Sequence, residues 1–453
     1  MILFIKEKRT CFLLLFIIFF TASAYSQTEE RRVISNVIDL RECLRIGLEN
    51  NFDLQIARNQ ELVSENNVTL GNAGYLPQVN VSSGYNLRSS NTDQIPAEGD
   101  AVVENRNSNT QTLDAGINLN WSLFEGFRVQ TNYKRLKELQ SAGELYTRLE
   151  MENLIANLTA EYYNYVQQQI RLGNLQYAVS LSKERLRIVE ARYQVGSLSR
   201  LDLQQAKVDF NADSSQLIQQ YEILNRSRIK LNELMGVDVE SEFIAQDTTI
   251  IFNESLAKDE LFDRTMAQNT FLQISESNLT LSELELRNLR SRNYPYLRLN
   301  AGYGFTHYNY NSGNLERQRN WGPNVGLTLG YTLFDGFNRK REQKNQQIII
   351  RNRELEVERD KLVIESDFAN MWMAYQNNIE LTNLEIESLE NATINYEIAM
   401  ERYRIGDLSG LELREAQNSL LEAEQRLLTA QYNTKLYEIS LMQISGSITT
   451  FLQ

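Results

Sequence analysis

The sequence predicts a mixed α and β membrane protein: four membrane-crossing strands per chain joined to very long coiled-coil helices, all written twice. Three observations carry this. Blocks of sequence recur at a fixed offset, four segments alternate between apolar and polar residues, and the four prolines of the 453 residues all lie near those segments. Proline costs about 3 kcal/mol inside a helix, so the proline-free stretches permit helices of unusual length.

The repeat sets the plan. Leu123-Phe124-Glu125-Gly126-Phe127 recurs as Leu333-Phe334-Asp335-Gly336-Phe337, and Arg192-Tyr193-Gln194-Val195-Gly196-Ser197-Leu198-Ser199 recurs as Arg402-Tyr403-Arg404-Ile405-Gly406-Asp407-Leu408-Ser409, both at an offset of 210. Upstream, Leu54-Gln55-Ile56 matches Leu272-Gln273-Ile274, and Pro77 matches Pro295, at 218. The first copy thus carries extra residues between Tyr85 and Leu123. A duplicated sequence folds into a duplicated architecture.

The N-terminus comes first in chain order. Lys6, Lys8 and Arg9 precede an apolar run from Cys11 to Phe20, and Thr21 to Ser26 supplies small residues for cleavage. That is the layout of a secretory signal peptide over residues 1–26, too short to span a bilayer. The first repeat covers 27–236, an inter-repeat linker 237–258, and the second repeat 259–453. The linker is expected to wrap the helices. Removal of the signal leaves Cys43 alone, so neither an intramolecular disulfide nor a cysteine metal cluster can form.

Each repeat opens with a helix, the first over about 39–73. Strand pairs follow at about 78–123 and 296–333. Val79, Val81, Tyr85 and Leu87 share one face against Asn80, Ser82 and Asn86; Leu113 to Leu123 alternates in the same way. In the second copy Leu297, Leu299, Ala301, Tyr303 and Phe305 oppose Arg298, Asn300, Gly302 and Gly304, and Val325, Leu327, Leu329, Tyr331 and Leu333 form a fourth file. Strands of about ten residues with one apolar face suit a tilted crossing of a bilayer. The polar stretches 88–111 and 308–321 read as exposed loops, with Pro96 in the first and Pro323 opening the fourth strand. Trp121, Phe124, Phe127, Trp321, Phe334 and Phe337 fall at strand ends, where an interfacial girdle or packing at a strand–helix junction would place them.

Each repeat closes with a helical hairpin. Phe127 to Tyr193 would run about 100 Å as a helix. Leu158, Tyr165, Leu172, Val179, Leu186 and Tyr193 recur every seven residues, as do Phe368, Tyr375, Thr382, Leu389, Tyr396 and Tyr403. A sustained seven-residue period is the coiled-coil pattern. Gly196 and Gly406 then reverse the chain.

Four strands cannot close a barrel, and lipid cannot satisfy an open sheet edge, so sister chains must complete it. Two copies would give eight strands and a filled barrel; three would give twelve and a passage. An envelope coiled-coil structural or adhesion protein without a pore would use the same heptads but has no need of four alternating strands.

Enzyme chemistry fits poorly. One histidine excludes a multi-histidine metal site, no phosphate loop or nucleophile elbow is present, and Gly302-Tyr303-Gly304 lacks the third glycine of a nucleotide fold. No cofactor is implied. A formal charge of −13 argues against a nucleic-acid partner.

On the doubled strand–helix plan, the Leu-Phe-acidic-Gly-Phe steps and the Arg-Tyr-x-x-Gly-x-Leu-Ser turns, the chain resembles the TolC-like outer-membrane efflux proteins, the outer membrane factors. The resemblance implies a homotrimer whose twelve strands form one β-barrel in the outer membrane of a Gram-negative bacterium, above a coiled-coil α-helical barrel that crosses the periplasm. It implies a passive exit duct in a tripartite efflux pump or type I secretion system. The partners would be outer-membrane lipid, a periplasmic adaptor and an inner-membrane transporter of the RND, ABC or MFS type. By resemblance, the hairpin tips form the periplasmic gate or the adaptor-docking site, with Arg192, Tyr193, Gly196, Asp202, Arg402, Tyr403, Gly406 and Glu412 as candidate residues. Arg192, Arg200, Arg402 and Arg404 are near enough in sequence to pair with Asp202, Tyr403, Glu412 and Glu415. Leu198 and Leu408 stand where the family's gate carries arginine after the tip. Phe124, Gly126, Phe334 and Gly336 mark the strand–helix junctions.

Overall fold

A computed structural model of the chain describes residues 37–94, 103–312 and 315–452. The expected signal peptide at 1–26 and Pro96 lie outside the described residues.

The first copy runs β1 (Val37–Ile38), α1 (Leu40–Asn50), α2 (Phe52–Asn66), α3 (Leu70–Ala73), β2 (Gln78–Gln94), β3 (Val103–Glu125), α4 (Arg128–Gln194) and α5 (Arg200–Met235). The linker strand β4 (Ile244–Ala245) leads to α6 (Lys258–Gln268), α7 (Thr270–Ser291), β5 (Tyr296–Tyr310), β6 (Arg317–Gly330), α8 (Asn338–Ile405) and α9 (Gly410–Ile444). A short 3-10 turn, Ile448–Leu452, follows. α4 and α8, 67 and 68 residues long, are each about 100 Å. No helix among the described residues is long and apolar enough to cross a membrane.

β2, β3, β5 and β6 form one antiparallel sheet in that order. Its register stacks Val81, Ile117, Tyr303 and Pro323 in one row and Val79, Leu119, Ala301 and Val325 in the next. These share the apolar face, and Val81 and Val325 are 80% and 77% exposed. The opposite face carries Asn80, Asn118, Gly302 and Asn324 in one row. An apolar outside and an amide-lined inside is the binary pattern of a wet-lumen barrel.

The strands are longer than expected, from 14 to 23 residues. Much of the stretches read as loops continues the sheet, because alternation with polar residues on both faces still forms ladders beyond a bilayer. β6 in turn stops at Gly330, leaving Tyr331 and Leu333 outside it: β5 begins at Tyr296, which pairs Gly330, and offers nothing further to bond. Pro323 lies inside β6 instead of opening it, opposite Tyr303 on β5.

The single helix expected over 39–73 is three. Asn51 breaks it with ψ 127°, caps α2 by accepting from Leu54 N at 3.0 Å, and donates from Nδ2 to Leu234 O at 3.0 Å. Asn269 repeats this, accepting from Leu272 N at 3.0 Å and donating to Ile444 O at 2.9 Å. Each copy therefore ties its opening helix to the end of its own hairpin through one asparagine. The largest core lies at this level. Ile38, Leu44, Ile155, Leu158, Tyr162, Leu231 and Met235 are at most 1% exposed there. Full burial of such side chains stabilises by roughly 1.5–3 kcal/mol each. β1 pairs with β4, so the linker is built into the core and does not merely wrap it.

The seven-residue seam holds along α8, where Phe368, Tyr375, Thr382, Tyr396 and Tyr403 are buried. Along α4 it holds at Leu158 and Tyr165, then shifts to Ala178, Ser182, Arg185 and Val189, leaving Tyr193 40% exposed. Near the tip Val189 packs in one apolar cluster with Leu203 and Ala206 of α5, Tyr396 and Tyr403 of α8 and Leu413 of α9.

Candidate functional site: the hairpin tips

The duplicated Arg-Tyr-x-x-Gly-x-Leu-Ser motif is a helix stop and a helix start fused together. Gly196 and Gly406 take φ of 78° and 88°, which glycine adopts without strain. Ser197 N then donates to Arg192 O at 2.8 Å and Asp407 N to Arg402 O at 2.9 Å, closing the C-terminal caps. Three residues past each glycine a serine caps the return helix. Ser199 Oγ accepts from Asp202 N at 3.2 Å while Asp202 Oδ2 accepts from Ser199 N at 2.9 Å; Ser409 and Glu412 do the same at 3.3 and 3.0 Å. Both are capping boxes. Hydrogen bonds from the serines hold the Asp202 and Glu412 carboxyls below their usual range.

Asp202 and Glu412 thus hydrogen-bond within their own turns, not with the arginines expected beside them. Arg402 pairs with Asp407 at 3.0 Å. Tyr193 stays on the surface, whereas Tyr403 is 2% exposed, its hydroxyl has no hydrogen-bond partner, and burial pushes its pKa up. The tip residue that joins the two hairpins is Arg192. Its guanidinium donates to Tyr403 O at 3.0 Å and Arg404 O at 2.9 Å, and lies 5.2 Å over the Tyr403 ring. A cation on the last carbonyls of α8 is stabilised by the helix dipole. Around this latch Val195, Leu201, Ile405 and Leu411 are each at least 76% exposed.

Further from the tips lies a polar tie that the apolar heptads did not reveal. Arg414 of α9 grips Asp213 of α5 with two hydrogen bonds of 2.7 Å, and Ser182 of α4 also donates to Asp213, which is 2% exposed. Gln417 Nε2 donates to Ser182 Oγ at 3.1 Å. Arg185, 3% exposed, pairs with Asp209 alongside. Asp213 belongs to a polar file spaced by seven with Gln220 and Ser227, both buried; Gln220 bonds Gln168 and Ser227 bonds Glu161. A search for seven-residue spacing among polar residues would have found it.

At the upper end, Gly126 and Phe127 take φ of 59° and 69°, and Gly336 and Phe337 take 68° and 64°. These paired left-handed residues turn strand into helix. Phe127 packs edge-on against Phe124 at 5.3 Å and Tyr294 at 5.9 Å, and Phe337 against Phe334 at 5.3 Å. Trp121 Nε1 donates to Tyr75 O at 2.9 Å. Phe124 and Phe127 thus pack at the first junction, while Phe334 and Phe337 touch each other and stay exposed.

This geometry has relatives. The chain is 22% identical over 419 residues to the outer membrane protein TolC of Vibrio cholerae, covering 91% of each. It is 22% identical over 416 residues to the pyoverdine export outer membrane protein OpmQ of Pseudomonas putida, covering 90% of this chain and 86% of that one. The crystal structure of the Campylobacter jejuni CmeC outer membrane channel superposes with a TM-score of 0.75 at 18% identity, over 93% of this chain and 90% of that one. Residues 44–237 and 261–447, one segment in each repeat, match the outer membrane efflux protein family, and the chain belongs to that family of outer-membrane channels.

Proposed function

We propose that three copies of this chain close one twelve-stranded barrel in the outer membrane and a helical tunnel beneath it, forming the passive exit duct of a tripartite efflux pump or type I secretion system. The observation that carries this is the open sheet. β2 and β6 each have a single strand neighbour in the protomer, yet the face they share is apolar and exposed. In lipid both edges must be bonded, and pairing β6 of one copy with β2 of the next closes the sheet.

In this reading the tips meet a periplasmic adaptor, to which Val195, Leu201, Ile405 and Leu411 offer apolar contact. An inner-membrane transporter of the RND, ABC or MFS type supplies the energy. Arg192, Tyr403 and the two capping boxes stiffen the closed entrance. Cargo is selected by the transporter, not by the duct.

The deciding experiment is mass and conductance together. The purified protein in detergent should weigh three chains by light scattering and open steady channels in planar bilayers. A monomer that stays soluble without detergent would overturn the proposal, as would a trimer that never conducts.

A further inference from the structure

Alternate residues on the apolar face of β6 read Leu329, Leu327, Val325, Pro323, Trp321, and then Arg319 and Arg317. The apolar part of this file, Leu329 to Trp321, is about 27 Å long at roughly 3.4 Å per residue, about 21 Å of height at a barrel strand's tilt of about 40°, most of the apolar band of an outer-membrane barrel. Leu329, Val325 and Trp321 are 74%, 77% and 66% exposed. The helices attach at the Gly330 end, so the two arginines stand at the far, external end, one step beyond an interfacial tryptophan. Across the ladder Arg319 faces His307 and Arg317 faces Asn309. Arg317 makes one long ion pair, 3.6 Å to Glu316, and Arg319 has no carboxylate or hydrogen-bond partner among the described residues. The first copy places Leu113 and Gln111 at these heights, with no cation.

At the edge of hydrocarbon an exposed guanidinium costs only about 0–1 kcal/mol, and with its donors unpaired it is available to an anion. The outer leaflet of an outer membrane supplies one at this depth: the phosphate of a phosphorylated glycolipid, which arginine binds with two parallel hydrogen bonds. We propose that Arg319 and Arg317, with His307 beside them, form a binding site for the lipid A phosphate of lipopolysaccharide, one per protomer and confined to the second hairpin. The inference rests on the barrel reading above, because only that reading turns this face toward lipid.

The test is native mass spectrometry of the detergent-purified protein with lipid A bearing its phosphates, with the same lipid dephosphorylated, and with inorganic phosphate. The wild type should bind the phosphorylated lipid about tenfold more tightly than the dephosphorylated one. Arg319→Gln should lose about tenfold, and Arg317→Gln/Arg319→Gln the whole preference, as expected for charge-assisted bonds. Equal binding of the two lipids by the wild type would overturn the site, and that comparison needs no variant to fold. So would an unchanged double variant, or displacement of lipid A by millimolar inorganic phosphate. Single-channel conductance separates the two levels. A conducting channel without lipid preference removes this site alone, whereas a chain that never conducts removes the barrel reading and the site with it.

Discussion

Removing Arg414 while leaving Asp213 in place is the sharpest perturbation available in the helical region. Arg414→Met keeps the length of the side chain but strips both 2.7 Å bonds from a carboxylate that is 2% exposed. Ser182 remains as a donor and cannot compensate a full charge. Breaking one partner of a buried pair costs about 3–5 kcal/mol, whereas replacing both by apolar groups is often neutral. The loss is local, since the tie joins α4, α5 and α9 at one level, and it appears as local opening instead of global unfolding. Three kcal/mol is about a hundredfold or more in an opening equilibrium. Backbone amides around 206–217 should therefore exchange with deuterium about two orders of magnitude faster in Arg414→Met. Most of that protection should return in Asp213→Leu/Arg414→Met, and the strands should not change in either. Wild-type exchange in the single variant would refute the assignment of Asp213 as a buried charge held by Arg414. Equal loss in single and double variants would show that packing, not charge pairing, is what matters.

The two junction glycines should respond unequally. A Cβ on Gly126 would lie 2.1 Å from Ser291 O, so Gly126→Ala should disrupt the single chain, whereas a Cβ on Gly336 meets only Asn338 Nδ2, at 3.6 Å, within its own chain, and Gly336→Ala should cost the single chain only the left-handed backbone penalty of about 1–2 kcal/mol, as read by thermal melting. Burial pushes the Glu424 carboxyl above its ordinary range, and its Oε2 is buried without a partner. The folded chain therefore holds that proton more tightly than the unfolded chain. Its penalty is absent below the ordinary carboxylate pKa and grows as pH rises to the folded value. Glu424→Gln should leave the melting temperature unchanged near pH 4 and raise it near pH 7.5; equal shifts at both would contradict this. Arg192→Gln removes the latch on the end of α8 and should raise single-channel conductance, while Tyr403→Phe, which loses a hydroxyl with no partner, should not. A conductance unaffected by Arg192→Gln would take the latch out of the gate.

The parts of the fold that repeat were legible because duplication turns weak motifs into paired ones. The Gly196 and Gly406 turns and the Leu-Phe-acidic-Gly-Phe steps could each be found from their twin. What was hidden obeys subtler physics. The Asn51 and Asn269 breaks interrupt good helical sequence, and only their long-range bonds to Leu234 O and Ile444 O explain them. Asp202 and Glu412 invite pairing with the neighbouring arginines on sequence distance alone, although a serine three residues ahead of an acid already announces a capping box. Asp213 was missed because the search for periodicity was confined to apolar residues, and this hairpin is zipped partly by polar ones.

The two junctions also show how one copy anticipates a contact that the single chain cannot make. Phe127 of the first copy, 55% exposed, meets Tyr294 edge-on, 5.9 Å away, from the helix end that opens the second copy. Phe337 is its twin, yet it is 70% exposed, with Phe334 and Leu333 at 71% and 86% beside it. The twin of Tyr294 is Leu76, at the 218 offset, and it too is exposed, at 56%. If the ring is closed by repeating the in-chain packing, Leu76 of one copy roofs Phe337 of the next. A disulfide between Leu76→Cys and Phe337→Cys should then join separate chains into a covalent trimer on a denaturing gel. Phe127→Cys with Tyr294→Cys should instead link within one chain and leave its mass unchanged. Cys43, buried, does not compete. Failure of the first pair to cross-link, in a preparation where the second does, would mean that neighbouring chains do not continue the duplicated packing, and the ring would need a different interface.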